Sequence, residues 1–281
     1  MKMKALKILI PTDFSEISEK ALKMASLLAE KIPVNIHLLH VVESPDDTNK
    51  KNQPSLSDPV DWITFQHEIY TTNRRFDELK NKGYVFEGRV SLGRLIDGII
   101  EFTDTEEIDL VIMGTGGSQG IAEILAGSNA QHIVRYLKVP VITIKYDADI
   151  LPLTDILFVS DFEDPGKPGD MRLVNLLAAT FNSTIHLLQI TTEQDLRKIE
   201  TITTQMTHFA ELHQISSYQT HVHQQNGILK GVQNFNGEEA MGLVCIRTHG
   251  RKGINHLLFG SIAEKLVNRC SRPVLTFHLT T

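Results

Sequence analysis

The sequence predicts an α/β protein of two successive domains, each winding helices around a parallel sheet, and three observations carry that prediction. The first is length: 281 residues exceed the commonest single-domain size of roughly 100–150 and suit two such domains. The second is an internal repeat. Ile36-His37-Leu38-Leu39-His40 returns as Ile185-His186-Leu187-Leu188-Gln189, 149 residues on, and Ile8-Leu9-Ile10-Pro11-Thr12-Asp13-Phe14 returns as Ile156-Leu157-Phe158-Val159-Ser160-Asp161-Phe162, 148 residues on. The third is an alternation of continuous apolar runs with stretches of helical period, the pattern of βαβ crossovers covered on both faces. The domains are set at residues 1–146 and 152–281.

Taken in order, Ile8–Ile10 is the first buried strand. It runs into Pro11-Thr12-Asp13, a carboxylate on the loop before a helix that Ser15 is suited to cap. Ala21, Leu22, Ala25, Leu28, Ala29 and Ile32 step at helical spacing. Ile36–Val42 is the second strand. The polar, proline-bounded stretch Ser44–Pro54 reads as a surface loop. The second copy lacks it, since Leu125-Ala126-Gly127-Ser128 recurs as Leu258-Phe259-Gly260-Ser261 at an offset of 133, 16 fewer than 149. Trp62, Phe65, Ile69, Phe76 and Leu79 form a further helix face, and Leu110–Met113 and Val139–Ile144 are further strands. In copy two, Leu196, Ile199, Ile202, Met206, Phe209 and Leu212 repeat the helical period.

Composition excludes several classes. Hydrophobic residues at 41% and charged residues at 22% suit a globular chain with a core rather than a disordered one. A net charge of −6 offers no cationic surface for a phosphate backbone, so no nucleic-acid partner is expected. Two cysteines, Cys245 and Cys270, supply neither a disulfide framework nor a four-cysteine zinc site and fit a reducing cytoplasm. Pro11 and Asp13 interrupt the apolar run after the basic opening MKMK, and no run approaches about 18 apolar residues, so neither a signal segment nor a membrane span is expected.

Ligands of doubly wound sheets sit at the carboxyl ends of strands, near the switch in strand order. There Leu110-Val111-Ile112-Met113 runs into Gly114-Thr115-Gly116-Gly117, then nine residues, then Gly127-Ser128 before a helix expected through Ile133 and Leu137. Glycines at this spacing either let backbone amides cradle a phosphate beside a helix start or turn the chain and allow tight packing. The lysine-bearing P-loop and the dinucleotide glycine fingerprint are both absent from the sequence.

Strand-Pro11-Thr12-Asp13-Phe14-Ser15, His40-Val41-Val42, Met113-Gly114-x-x-Gly117 with nine residues before Gly127-Ser128, and a closing Val139-Pro140-Val141 together resemble the universal stress protein family. The resemblance covers both halves and implies a tandem of two Rossmann-like domains with five parallel strands each. It also implies an adenine nucleotide, ATP with magnesium or manganese, in domain 1. On the matching positions, Asp13 would hold the ribose or a metal-linked water beside Pro11 and Thr12. The Val41 backbone would meet the adenine edge and Met113 would lie against the nucleotide. Gly114, Gly117, Gly127, Ser128 and Asn129 would surround the phosphates. Position 116, commonly a residue with a side chain, is glycine here. The family also implies pairing of the two domains as an internal pseudo-dimer through Val139–Ile144 and Val274–Phe277, self-association of chains, and a cytoplasmic stress-response role.

Copy two departs from this pattern. Its loop reads Arg247-Thr248-His249-Gly250, nine residues, Gly260-Ser261, and Asp161 is followed by Glu163-Asp164-Pro165-Gly166-Lys167-Pro168-Gly169. Arg247 either fills the pocket or grips phosphate itself. The prolines and glycines distort the start of the helix, and the added carboxylates are expected to repel a triphosphate. Copy two, with Asp161, Arg247, Gly250, Gly260 and Ser261 at the matching positions, is therefore read as a degenerate or altered site. His221 and His223, with His208 and His213, are read as solvated histidines rather than a metal site. Cys245 reads as a small buried hydrophobe, and Cys270 follows a helical stretch near Arg269 and Arg272; the sequence makes neither a paired cysteine nor a histidine evident for them, so nucleophilic catalysis is not expected. With no lysine or arginine between Gly114 and Ser128, ATP hydrolysis is expected to be absent or very slow. A scaffold or a binder of a small lipid-like ligand is the rival reading.

Overall fold

The computed structural model describes residues 4–42, 59–115, 133–134, 136–167, 170–193, 195, 197–248, 263 and 265–278. The chain divides into two compact units, Met1–Tyr146 and Asp147–Thr281. Unit 1 runs β1 (Leu6–Pro11), α1 (Glu16–Ala29), β2 (Val34–Val42), α2 (Pro59–Asn81), β3 (Glu87–Leu92), α3 (Leu95–Thr105), β4 (Leu110–Thr115) and β5 (Val141–Lys145). Unit 2 runs β6 (Asp155–Val159), α4 (Arg172–Phe181), β7 (Thr184–Thr191), α5 (Ile199–Leu212), β8 (Tyr218–Gln224), α6 (Ile228–Glu238), β9 (Leu243–Thr248) and β10 (Val274–His278).

Within unit 1 the strands lie in the order β3-β2-β1-β4-β5, and within unit 2 in the order β8-β7-β6-β9-β10. These neighbours pair in parallel, as the sequence predicts. The order reverses between β1 and β4, and again between β6 and β9, which fixes where the connections part to leave a crevice. Ile8, Leu9, Ile10, Val111 and Ile112 are fully buried, as are Ile156, Leu157, Phe158 and Val244, since helices cover both faces of these strands. The weakly apolar edge strand β3, Glu-Gly-Arg-Val-Ser-Leu, is only partly buried, and no apolar run marks it in the sequence.

Glycines at matched positions set how closely helices approach. A Cβ on Gly98 of α3 would stand 3.3 Å from Val41 Cγ2, and one on Gly231 of α6 would stand 2.6 Å from Ile190 Cδ1. Among the described residues no helix is long and apolar enough to cross a membrane.

Candidate functional site

The carboxyl ends of β1 and β4 meet the start of α1. Thr12 N donates to Leu39 O at 2.8 Å, so the β1–β2 ladder continues past Pro11, which has no N–H of its own. Thr12 Oγ1 accepts from Phe14 N at 2.9 Å and bonds Ser18 Oγ at 3.0 Å. Asp13 Oδ1 accepts from Ser15 N at 3.0 Å and from the Ser15 hydroxyl. Ser15 in turn caps α1, its Oγ accepting from Ser18 N at 3.5 Å. The cap expected at Ser15 is thus formed, and the same hydroxyl orients the Asp13 carboxylate. His40 Nδ1 lies 2.8 Å from Thr12 O, a contact that requires a proton on Nδ1.

This turn forces Phe14 into the left-handed region, at φ +61°. A bulky residue rarely adopts it without compensation. The compensation is aromatic: the Phe14 ring packs 5.1 Å from His40 and 5.3 Å from Phe76, with the Arg75 guanidinium 5.4 Å above it. Phe162 in unit 2 repeats the inversion at φ +54°, against Phe158 and Phe209. The repeat Asp-Phe in the sequence was the signal for it, but nothing in one sequence assigns a φ.

Gly114 stands opposite α1. A Cβ there would lie 2.6 Å from Ile17 Cγ1 and 2.8 Å from Ile17 Cγ2. Packing therefore requires this glycine whatever else it does, and it brings the amino end of α1, with its free N–H groups and positive dipole, beside the end of β4. Val41 and Met113 point their side chains into the core among Leu95, Ile99 and Ile133. Gly117, Gly127, Ser128 and Asn129 lie outside the described residues, as do Gly250, Gly260 and Ser261 of copy two.

Unit 2 uses the same corner differently. By strand register, Arg247 pairs with Phe277 as Gly114 pairs with Ile144, so the two positions correspond. Helix α4 begins at Arg172, eleven residues beyond Asp161, whereas α1 begins three beyond Asp13. The loop so released closes over Arg247, which is 1% exposed. Arg247 Nη1 donates to Asp164 O, and Nη2 lies 3.9 Å from Asp164 Oδ2. Burial pushes the guanidinium pKa down, while Asp161, Asp164 and Asp170 oppose that shift.

The expected repulsion from the added carboxylates needs correction, because arginines pair with them. Arg197 bonds Asp195 in bidentate fashion at 3.0 and 2.7 Å and reaches Glu163 at 3.0 Å. The hydrogen bond from Arg197 holds the Asp195 carboxyl below the usual range. Gln189, the counterpart of His40, joins in with its amide turned to donate to Asp161 O at 2.9 Å and accept from Arg197 Nη2 at 2.6 Å. His213 Nε2 lies 2.6 Å from Pro165 O. Sequence reasoning missed Gln189 on β7 and Arg197 in the loop that follows, whose roles arise from contacts with the distant Asp161 and Glu163.

The histidines also need correction. His221 is not merely solvated: its ring stacks on His186 at 5.2 Å, with His186 Nδ1 and His221 Nε2 3.1 Å apart, and His186 Nε2 lies 3.0 Å from Asp155 Oδ1. Cys245 and Cys270 are both buried. Among the described residues no three potential ligands cluster as a metal site.

A sequence profile described as the universal stress protein family matches residues 5–145 and 153–278. A universal stress protein of Methanocaldococcus jannaschii is 29% identical over 155 residues, covering 50% of this chain and 94% of that protein. One of Synechocystis sp. is 22% identical over 300 residues, covering 96% of this chain and 99% of its own length. Among solved structures, a universal stress protein from Archaeoglobus fulgidus has a TM-score of 0.70 at 17% identity, over 97% of this chain and 96% of that one. That last likeness is one of fold.

Proposed function

We propose, for a chain that belongs to the universal stress protein family through both of its halves, that unit 1 binds an adenine nucleotide, ATP, at the carboxyl ends of β1 and β4. The bound nucleotide then tunes a cytoplasmic stress response through the protein's shape or partners, without rapid turnover. The observation that carries this reading is the fixed corner at the switch in strand order. Asp13 is held by Ser15 at the amino end of α1, and the Gly-x-x-Gly-x9-Gly-Ser spacing starts at Gly114 on the adjoining strand.

The residues suit the ligand chemically. Helix-start amides favour anionic oxygens, and a half-buried carboxylate oriented through Ser15 suits a ribose hydroxyl or a water on a divalent ion. Such an ion would arrive with the phosphates, which supply most of its oxygen ligands. Gly117, Gly127, Ser128 and Asn129 would complete the phosphate contacts, with the Val41 backbone at the adenine edge and Met113 against the nucleotide. Slow turnover follows from the absence of lysine and arginine between Gly114 and Ser128, since phosphoryl transfer needs fixed positive charge on the developing transition state.

Mass spectrometry of small molecules released from the purified full chain tests the site. ATP is expected in the native protein and not in Gly127→Glu. Equal occupancy in the two would refute the assignment, and turnover at about 1–100 per second would refute the regulatory reading.

A further inference from the structure

We infer that Arg247 decides which unit takes nucleotide: by anchoring the 161–167 loop over the ends of β6 and β9, it seals the counterpart of the unit 1 site, so each chain binds one nucleotide. The stoichiometry rests on the proposed function of unit 1; the anchoring does not.

Two departures in copy two prove to be one. Where Gly114 stands in unit 1, even a single added carbon would collide with Ile17 on the first turn of α1. A seven-atom arginine side chain fits the corresponding place only because that turn does not exist in unit 2. Pro165 and Gly166 stand where that turn would run, the helix begins only at Arg172, and Gly166 takes φ +72°. The buried guanidinium there meets Asp164 of the loop that replaces the turn.

A buried cation without compensation is strongly destabilising. The loop supplies that compensation in Asp164, through its backbone carbonyl and carboxylate. Further contacts along the loop act together with this anchor. Glu163 meets Arg197, Asp161 O meets the Gln189 amide, and Pro165 O meets His213, whose own carbonyl accepts from Asn175 Nδ2 at 2.7 Å. A nucleotide entering this corner would have to displace Asp164 from Arg247 and expel the loop. The loop therefore acts as a tethered occupant at a very high effective concentration.

Hydrogen exchange of the full chain reads the anchor directly. The Gly166 amide donates to Asp164 Oδ1 at 2.9 Å and the Lys167 amide to Asp170 Oδ2 at 2.9 Å. In Arg247→Ala these amides are expected to exchange at least tenfold faster, with unit 1 unchanged; unaltered exchange overturns the anchor. Should that variant fail to fold, the exposed-side variant Arg197→Ala is expected to loosen the same amides, and unaltered exchange there overturns the anchored loop equally. Titration of the wild-type chain with magnesium ATP, followed by native mass spectrometry, is expected to give one nucleotide per chain, lost in Gly127→Glu. Two per chain, or one that survives Gly127→Glu, overturns the seal. No binding at all overturns the reading of unit 1, and the anchor is then judged on exchange alone.

Discussion

Replacing Gly114 by alanine separates a packing role from a ligand role for that glycine. The added Cβ would lie 2.6, 2.8 and 3.1 Å from Ile17 Cγ1, Cγ2 and Cβ. Ile17 cannot swing aside cheaply, because it is 4% exposed and a β-branched residue in a helix has one strongly preferred χ1. Overpacking of this kind costs about 1–3 kcal/mol, against which the stiffer unfolded chain returns about 0.4–1 kcal/mol. A net loss of about 1.5 kcal/mol is expected, which for a domain of this size lowers Tm by about 3–6 °C. Differential scanning calorimetry of the nucleotide-free full chain measures it. In an Ile17→Ala background the same substitution is expected to cost less than about 0.5 kcal/mol, since the two methyl-bearing branches are gone. An alanine variant as stable as the wild type, or an equal penalty in both backgrounds, would refute the packing argument.

Two further outcomes follow from the same geometry. Gly98→Ala and Gly231→Ala change the same helix position in the two units, each gaining about 1 kcal/mol of helix propensity. With its Cβ at 3.3 Å from Val41, Gly98→Ala is expected to be neutral or stabilising. With the Ile190 Cδ1, Cγ1 and Cγ2 atoms at 2.6, 2.9 and 2.9 Å, Gly231→Ala is expected to be net destabilising by about 1 kcal/mol, and equal shifts in Tm would contradict this. Burial, aided by His186 and opposed by Glu239, lowers the His221 pKa below 6.5. As pH falls the unfolded chain then takes the proton first, so this contribution to unit 2 stability is complete above about pH 6.5 and declines as pH drops through that value towards the native pKa. His221→Phe is expected to flatten the decline, and a ring-proton titration with a midpoint at or above 6.5 would rule it out.

The architecture was legible because duplicated apolar runs at fixed offsets are a strong signal: Ile36–His40 against Ile185–Gln189 fixed β2 and β7 in both halves. Strand β3 was not legible, since an edge strand is half wet and its Gly88 and Arg89 break any apolar run. The turn at Asp13 and the cap at Ser15 could be read because capping is local. The stacking of His186 on His221 could not, because it depends on the register of β7 against β8. Arg247 and the proline-glycine stretch were each visible as departures. That one makes room for the other appears only when strand β9 and the missing turn of helix are placed side by side.

That fit also orders the history by which two equal copies could become unequal. An arginine arriving first at position 247 would meet an intact helix turn, and a cation would be buried in collision with it. Prolines and glycines arriving first would merely unwind a helix end, a local loss that exposed backbone and water can absorb. The passable route therefore runs through the loop, and reversal is barred in the same way, because rewinding the helix around Arg247 recreates the collision. While the arginine stays, no change confined to the loop can give the second half its sister's form.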